Sequence, residues 1–295
     1  MDDLRGLLKI FHCEGAIPPF RVPAVGADDL VGGLPVASVR VSATQGLRGV
    51  VATRYVAPLR EGGSLPGLLE ADDDGLYVTK FRGAGQGPLA LVAEVIVGEL
   101  ARRVGLLVPE LVKVEVDAVL AAAEPDPEIQ ELIAASAGAN LGVDFLPGAL
   151  SYSSAGPWQP DSRLAADIVW LDALVTNVDR SARNPNLLLW HGRLWLIDHG
   201  AALYLHHKGL IPSEHAARPF TEIGDHVLLR HAGSILDAHE RLAPLADRAL
   251  LEAVVALVPT EWLGDVTVED YVAYLALRLE TATFAQEAER ARFQA

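Results

Sequence analysis

The chain has 295 residues, 51% of them hydrophobic, and carries 39 acidic against 24 Lys and Arg side chains, a formal net charge of −15. That length suits one large domain or two lobes better than a set of small modules, and the apolar content argues against disorder outside the ends. The negative balance argues against a nucleic-acid partner, which needs Lys and Arg to neutralise phosphates, and a lone Cys13 excludes an internal disulfide framework.

In chain order, the first ten residues, "MDDLRGLLKI", begin with two acids and break their apolar run at Lys9, a poor signal peptide. Residues 1–45 are dense in Pro and Gly and read as an irregular N-terminal extension. Over 47–59 and 75–83, β-branched and aromatic runs alternate with Gly, Asp and Pro breaks, which predicts a small antiparallel sheet. Residues 87–105 read as a helix, with Pro88 tolerated in the first turn and Gly105 able to close the end. Strand character returns over 106–120, and a short helix is expected to start at Pro127. A breaker-rich passage, 143–162, leads to helical patterns at 163–177 and 268–293. No apolar run reaches the roughly 18 residues of a membrane span. The pattern predicts a soluble, cytoplasmic, two-lobed α+β protein: N-lobe 46–147, helical C-lobe 148–295, with a cleft suited to a ligand between them.

Several polar residues sit where a plain core would want none. Lys80 ends the run "LYVTK" and is one of only four lysines. Strand alternation puts it on the face of Val78, expected to be the inward one, where an ammonium needs an anion such as a phosphate or a helix carboxylate. Upstream, "REGGSLPGLLE" (60–70) carries glycines at 62, 63 and 67, whose backbone could wrap a phosphate. In "NVDRSARNPNLLLWHGRLWLIDHG" (177–200), Asp179 stands five positions before Asn184, and Asp198 precedes Gly200. Oxygen donors of this kind suit Mg²⁺, which takes one or two carboxylates and completes its shell with water and substrate phosphates, and the spacing matches phosphoryl-transfer sites.

These motifs resemble those of the HipA-like serine/threonine kinases of bacteria, within the wider protein-kinase pattern of a bilobal fold with a small β-rich N-lobe and a larger helical C-lobe. "SLPGLLE" (64–70) is similar to their phosphate loop, "YVTKF" (77–81) to their lysine strand, "LARRVGLLVPE" (100–110) to the end of their first helix, and "NVDRSARN" (177–184) to their catalytic loop. The resemblance covers roughly 47–205. It implies that ATP and Mg²⁺ are cofactors, that Ser64, Leu65 and Gly67 cover the phosphates, and that Lys80 holds them with Glu94 as its helix partner. It further implies that Asp179 serves the attacking hydroxyl, that Asn184 and Asp198 hold the metal, and that main chain around Val143, Asp144 and Phe145 receives adenine. Ser181 departs from the family's histidine, and His199 replaces the phenylalanine of the general kinase motif. Family spacing favours Glu94, whereas a helical wheel sets Glu99 inside the apolar arc and Glu94 outside it; a residue facing a cleft need not lie on the core stripe, so Glu94 is preferred. Ser64 is also a candidate for autophosphorylation, which would set negative charge beside the ATP phosphates.

The expected phosphate acceptor is a protein serine or threonine, and the resemblance raises an antitoxin-like protein partner. Two alternatives stay open: an aminoglycoside-like small-molecule kinase, since "LIDHGAA" also resembles the metal motif of that class, and a nucleotide-binding pseudokinase. His206, His207, His226, His231 and His239 match no zinc-helix spacing and read as surface histidines. No Gly-x-Ser-x-Gly elbow is present. The five tryptophans read as core or lobe-packing residues rather than a ligand cage.

Overall fold

A computed structural model of the protein describes residues 46–59, 65–85, 87–208 and 213–295. Strands β1 (Arg48–Pro58), β2 (Gly67–Ala71) and β3 (Leu76–Lys80) form antiparallel hairpins. The β2–β3 turn is "DDDG", in which the Asp73 carboxylate accepts from the Gly75 N–H, the local side-chain turn that aspartate favours. Helix α1 (Pro88–Arg103) follows, then β4 (Leu111–Val116), α2 (Pro127–Ala135) and β5 (Gly138–Asp144). The strand order is β1-β2-β3-β5-β4, and β4 also runs parallel beside the start of β1, so the sheet curls back on itself. That parallel pair departs from the wholly antiparallel expectation. Gly142, mid-strand in β5, makes room for the curl: a Cβ there would stand 2.5 Å from Val114 Cγ2 and 2.8 Å from Val112 Cγ2.

Val50, Tyr55, Leu69, Tyr77, Phe81, Val112, Val114 and Val116 fill the sheet's interior, and α2 closes it with Ile129 and Ile133. Tyr77 and Thr79 are the buried members of β3, whereas Val78 and Lys80 share the half-buried face. The alternation therefore holds, but the lysine face looks out of the sheet's core rather than into it. All residues from Leu91 to Ala101 in α1 are buried. A helix apolar all round must be covered on every side, and α1 joins the core that also holds α3.

After the two-residue strand β6 (Leu150–Ser151), α3 (Ser162–Leu174) starts at Asp161, whose carboxylate accepts from the Leu164 N–H at 2.8 Å. The hairpin β7 (Leu187–Trp190) and β8 (Arg193–Leu196) turns through His191 and Gly192, both at positive φ, the two-residue geometry that suits twisted strands. Helices α4 (Ser213–Ala216), α5 (Ile235–Leu242), α6 (Arg248–Val255), α7 (Val268–Thr281) and α8 (Thr283–Arg292) complete the chain. The expected helix 268–293 is thus two, broken at Ala282, which adopts the left-handed conformation with φ 52°. Among the described residues no helix is long and apolar enough to cross a membrane.

Candidate active site

Lys80 lies at the end of β3, beside Leu141 of β5, and its strand position aims the ammonium toward α1. Glu94, in the middle of α1 and 1% exposed, forms an ion pair with it. Asp198, 118 residues further along, reaches the same nitrogen at 2.6 Å. Glu94 is therefore the lysine's helix partner; Glu99 instead stands 3.8 Å from Arg102. The helical wheel separated these two glutamates only because it assumed one core stripe.

Asp198 takes a left-handed φ of 54° just after β8, a strained placement for a non-glycine residue. The next residue, His199, gives its backbone N–H to Glu94. Gly200 passes so close to α1 that a Cβ would lie 3.2 Å from Glu94 Oε1 and 3.6 Å from the Ala90 methyl. "DHG" is thus a loop pressed onto the helix that carries the glutamate, and glycine fits because a side chain would push it off.

Charge explains the titration of the trio. Burial works against the Lys80 ammonium, but Glu94 and Asp198 outweigh it and hold the lysine above its ordinary value. The ammonium is also the main reason Asp198 falls to about 2, against the cost of its own desolvation. Glu94 moves up, because burial and the Asp198 charge exceed the help from Lys80. Two carboxylates facing one ammonium leave surplus negative charge, which a cation can join.

A second group lies on the loop after α3. The Asn184 side chain donates to Asp179 Oδ2 at 2.9 Å, so these two expected residues touch directly. Asp179 is positioned from both sides: its N–H donates to Asn177 Oδ1 at 3.1 Å and its carbonyl accepts from Asn186 Nδ2 at 2.7 Å.

Arg180 ties the two groups together, and the sequence reading passed over it. Its guanidinium is 2% exposed and reaches Asp172 Oδ2 at 2.5 Å, the Asn186 carbonyl at 2.5 Å, the Ile197 carbonyl at 3.4 Å and His199 Nδ1 at 3.1 Å. It thereby grips the residues on either side of Asp198 while being the neighbour of Asp179. Asp172, on the buried face of α3, anchors the arrangement by accepting from Asn177 at 2.8 Å, Arg180 and His226 Nε2 at 2.9 Å. Burial alone would raise the Asp172 pKa; Arg180 and His226 overcome it and hold the carboxyl well below its usual range. His226 Nδ1 accepts from the Leu228 N–H, which fixes the tautomer with its proton on Nε2, toward Asp172. The signal available in sequence was one acid in an apolar helix, "IVWLDALVTN", with Asn177 five positions on.

Other expectations are met differently. His206 and His226 are buried, not surface histidines, His206 lying 3.0 Å from the Tyr271 hydroxyl. Trp170 and Trp262 are buried, whereas Trp190 and Trp195 are only half-buried. At the expected hinge, Val143 sits within β5 opposite Val78 and Leu111, the Asp144 N–H donates to the Glu110 carbonyl, and the Phe145 N–H to the Leu76 carbonyl. Gly67 already belongs to β2, Leu65 precedes it at φ 43°, and Ser64 lies outside the described residues. Among the described residues, no three carboxylate, imidazole or thiol groups gather to hold a metal by themselves.

The model of the HipA-like kinase family matches residues 53–285. Among solved structures, the chain is similar to the proinflammatory kinase CtkA of Helicobacter pylori, at 15% identity and a TM-score of 0.50, covering 82% of this chain and 97% of that one. The Golgi casein kinase with Mn and ADP bound is also similar, at 15% identity and a TM-score of 0.46, covering 84% of this chain and 74% of that one. No curated protein matches. The architecture is that of a bilobal kinase: a β-rich lobe carrying one prominent helix, followed by a helical lobe.

Proposed function

From the premise that this chain belongs to the family of HipA-like kinases, we propose that it is an ATP- and Mg²⁺-dependent phosphotransferase acting on a protein serine or threonine. The observation that carries this reading is the meeting of Lys80 with Glu94 and Asp198, three groups from a strand, a helix and a loop that have no reason to converge in a plain core. ATP with Mg²⁺ supplies the transferable phosphoryl group and the positive charge that offsets its negative oxygens.

The chain's own part is positioning. Lys80, held by Glu94, offers a fixed ammonium to phosphate oxygens; Asp198, bonded to that ammonium here, is the carboxylate available to a metal. Asn184 is the other candidate ligand. Asp179, fixed by Asn177 and Asn186, accepts the proton of, or orients, the acceptor hydroxyl. The lobe boundary near 147/148, adenine reception near Val143 to Phe145, regulation at Ser64 and an antitoxin-like partner belong to the same proposal. Because the Asp144 and Phe145 N–H groups are committed to the sheet, adenine would meet the main chain beyond them.

Thermal shift with ATP, with and without Mg²⁺, tests the binding half: ligand at a hundredfold excess over Kd stabilises by about 2.7 kcal/mol. Asp179→Ala is expected to keep this shift and lose transfer to protein substrate, while Asp198→Ala loses the Mg²⁺-dependent part. Transfer to aminoglycosides but not to protein extract would replace the acceptor class, and full activity of Asp179→Ala would overturn the role assignment.

A further inference from the structure

The stretch 220–233 lies along α3. Its Gly233 N–H donates to the Ser162 carbonyl at 2.7 Å, at the start of that helix, and its Val227 N–H donates to the Arg180 carbonyl at 3.0 Å, beyond the helix's end. Ser181 and His226 face each other there as an isolated antiparallel bridge. Ile223, Leu228 and Leu229 are buried and seat the stretch in the core that α3 also lines.

The loop carrying Asp179 is therefore held from two sides at the very next residue. On one side the Arg180 side chain reaches Asp172 of α3; on the other its carbonyl takes the Val227 N–H. A single turn, closed by the Ser181 N–H on the Asn184 carbonyl at 3.1 Å, carries the chain on to Asn184. His226 joins the two holds. Its Nε2–H donates to Asp172 Oδ2 at 2.9 Å, the same oxygen that Arg180 Nε reaches, and its Nδ1 accepts from the Leu228 N–H at 3.1 Å. The ring's side chain is 2% exposed, so bulk water does not replace a lost bond. Without the imidazole, the carboxylate that grips the Arg180 side chain is no longer tied to the backbone that grips its carbonyl.

We propose that His226 is a positioning residue for phosphoryl transfer, and that its Nε2–H, rather than its bulk, sets the loop of Asp179 and Asn184 against the reacting phosphate. The assignment rests on the kinase reading. A displaced loop moves Asp179 and Asn184 together, whereas Lys80 and Glu94 sit on a strand and a helix of their own and stay in place. Turnover then falls while the apparent affinity for ATP holds, since misplacing a reacting group by about 1 Å costs about a hundredfold in rate.

Two amide variants separate the ring's two bonds. His226→Gln puts an N–H where Nε2 stood and removes the Nδ1 acceptor; His226→Asn keeps an acceptor for the Leu228 N–H, as asparagine does in local turns, and is too short to reach Asp172. Phosphate transfer from ATP with Mg²⁺ to dephosphorylated casein and to water gives kcat and KM, and hydrogen exchange of the Asp179 and Ser181 amides reports the loop without any activity. His226→Asn is expected to lower kcat about 10- to 100-fold with KM for ATP within about threefold, and to speed exchange of both amides about tenfold. His226→Gln should stay within about threefold of the parent chain in both measurements. Equal behaviour of the two variants, parent-like kcat and exchange in His226→Asn, or a loss beyond about tenfold in His226→Gln would overturn the proposal. Circular dichroism reports folding: should His226→Asn not fold, His226→Gln decides, and failure of both to fold would make the ring a packing group and overturn it. A parent chain without transfer would overturn the kinase reading instead, and the exchange measurement still decides whether His226 holds the loop.

Discussion

At the scale of the residue, one guanidinium holds the candidate site's geometry. Arg180 spans from Asp172, on the buried face of α3, to the carbonyls of Asn186 and Ile197 and the ring of His199. Its loss strands a fully buried carboxylate that His226 and Asn177 can hydrogen-bond but not neutralise. Breaking a buried pair from one side typically costs about 3–5 kcal/mol, more than the pair contributes relative to apolar replacements. Arg180→Met should therefore lower stability by about that amount in urea denaturation, and Arg180→Met with Asp172→Leu should recover a large part of it. A loss under about 1 kcal/mol for the single variant would mean that water reaches Asp172. The orientation of Asp198 is expected to suffer even in folded protein, because both its neighbours lose their anchor.

At the scale of the element, α7 supports the end of α3, from which the loop carrying Asp179 departs. Arg278, 1% exposed, donates to the Leu174 carbonyl at 2.6 Å and the Ala173 carbonyl at 2.8 Å at the end of α3, and to Ala216 at 3.2 Å. Its guanidinium also lies 5.6 Å and 5.3 Å from the Tyr274 and Phe284 rings. A cation at a helix C-terminus meets the negative end of the dipole and satisfies carbonyls that have no intrahelical donor. Arg278→Leu should cost about 2–4 kcal/mol, mostly through those orphaned carbonyls, and Arg278→Lys should fall between. Chemical denaturation measures both; equal stability of all three chains would refute the capping role. Such supports explain what the sequence does not disclose. Pro88, Gly105 and the alternation in "LYVTK" are local signals, and the elements they mark form. Asp179, Asn184 and Asp198 stand out because polar groups interrupt apolar runs within 20 residues. Asp172 and His226, 54 positions apart, meet only through tertiary packing. The break at Ala282 hides because an alanine, not a glycine or proline, takes the left-handed turn.

At the scale of the whole molecule, buried neutral imidazoles set the response to acid. His199 and His206 are both held at about 3 by burial, the charges of Arg180 and Lys80 adding at His199 and that of His207 at His206. In the unfolded chain each titrates near 6.5. Below that pH the unfolded state binds protons that the folded state refuses, so stability is fully present above about 6.5 and falls as the pH drops toward 3. Each group contributes about 1.4 kcal/mol per pH unit in this window. The depressed carboxyl of Asp198 acts lower: its contribution persists above the ordinary carboxylate pKa and is lost as the pH falls through about 2. Between pH 6.5 and 4.5 these histidines draw stability down, while the raised carboxyls of Glu94 and Glu99 oppose them by taking up protons in the folded state. Relief of repulsion in a chain of net charge −15 works the other way, but exposed charges are screened and act weakly at moderate salt. Urea midpoints at constant m-value should fall from pH 6.5 to 4.5. His206→Phe, which loses the contact with the Tyr271 hydroxyl and so starts lower, should show a slope shallower by about one proton equivalent. An unchanged slope in that variant would show that this imidazole accepts protons while folded.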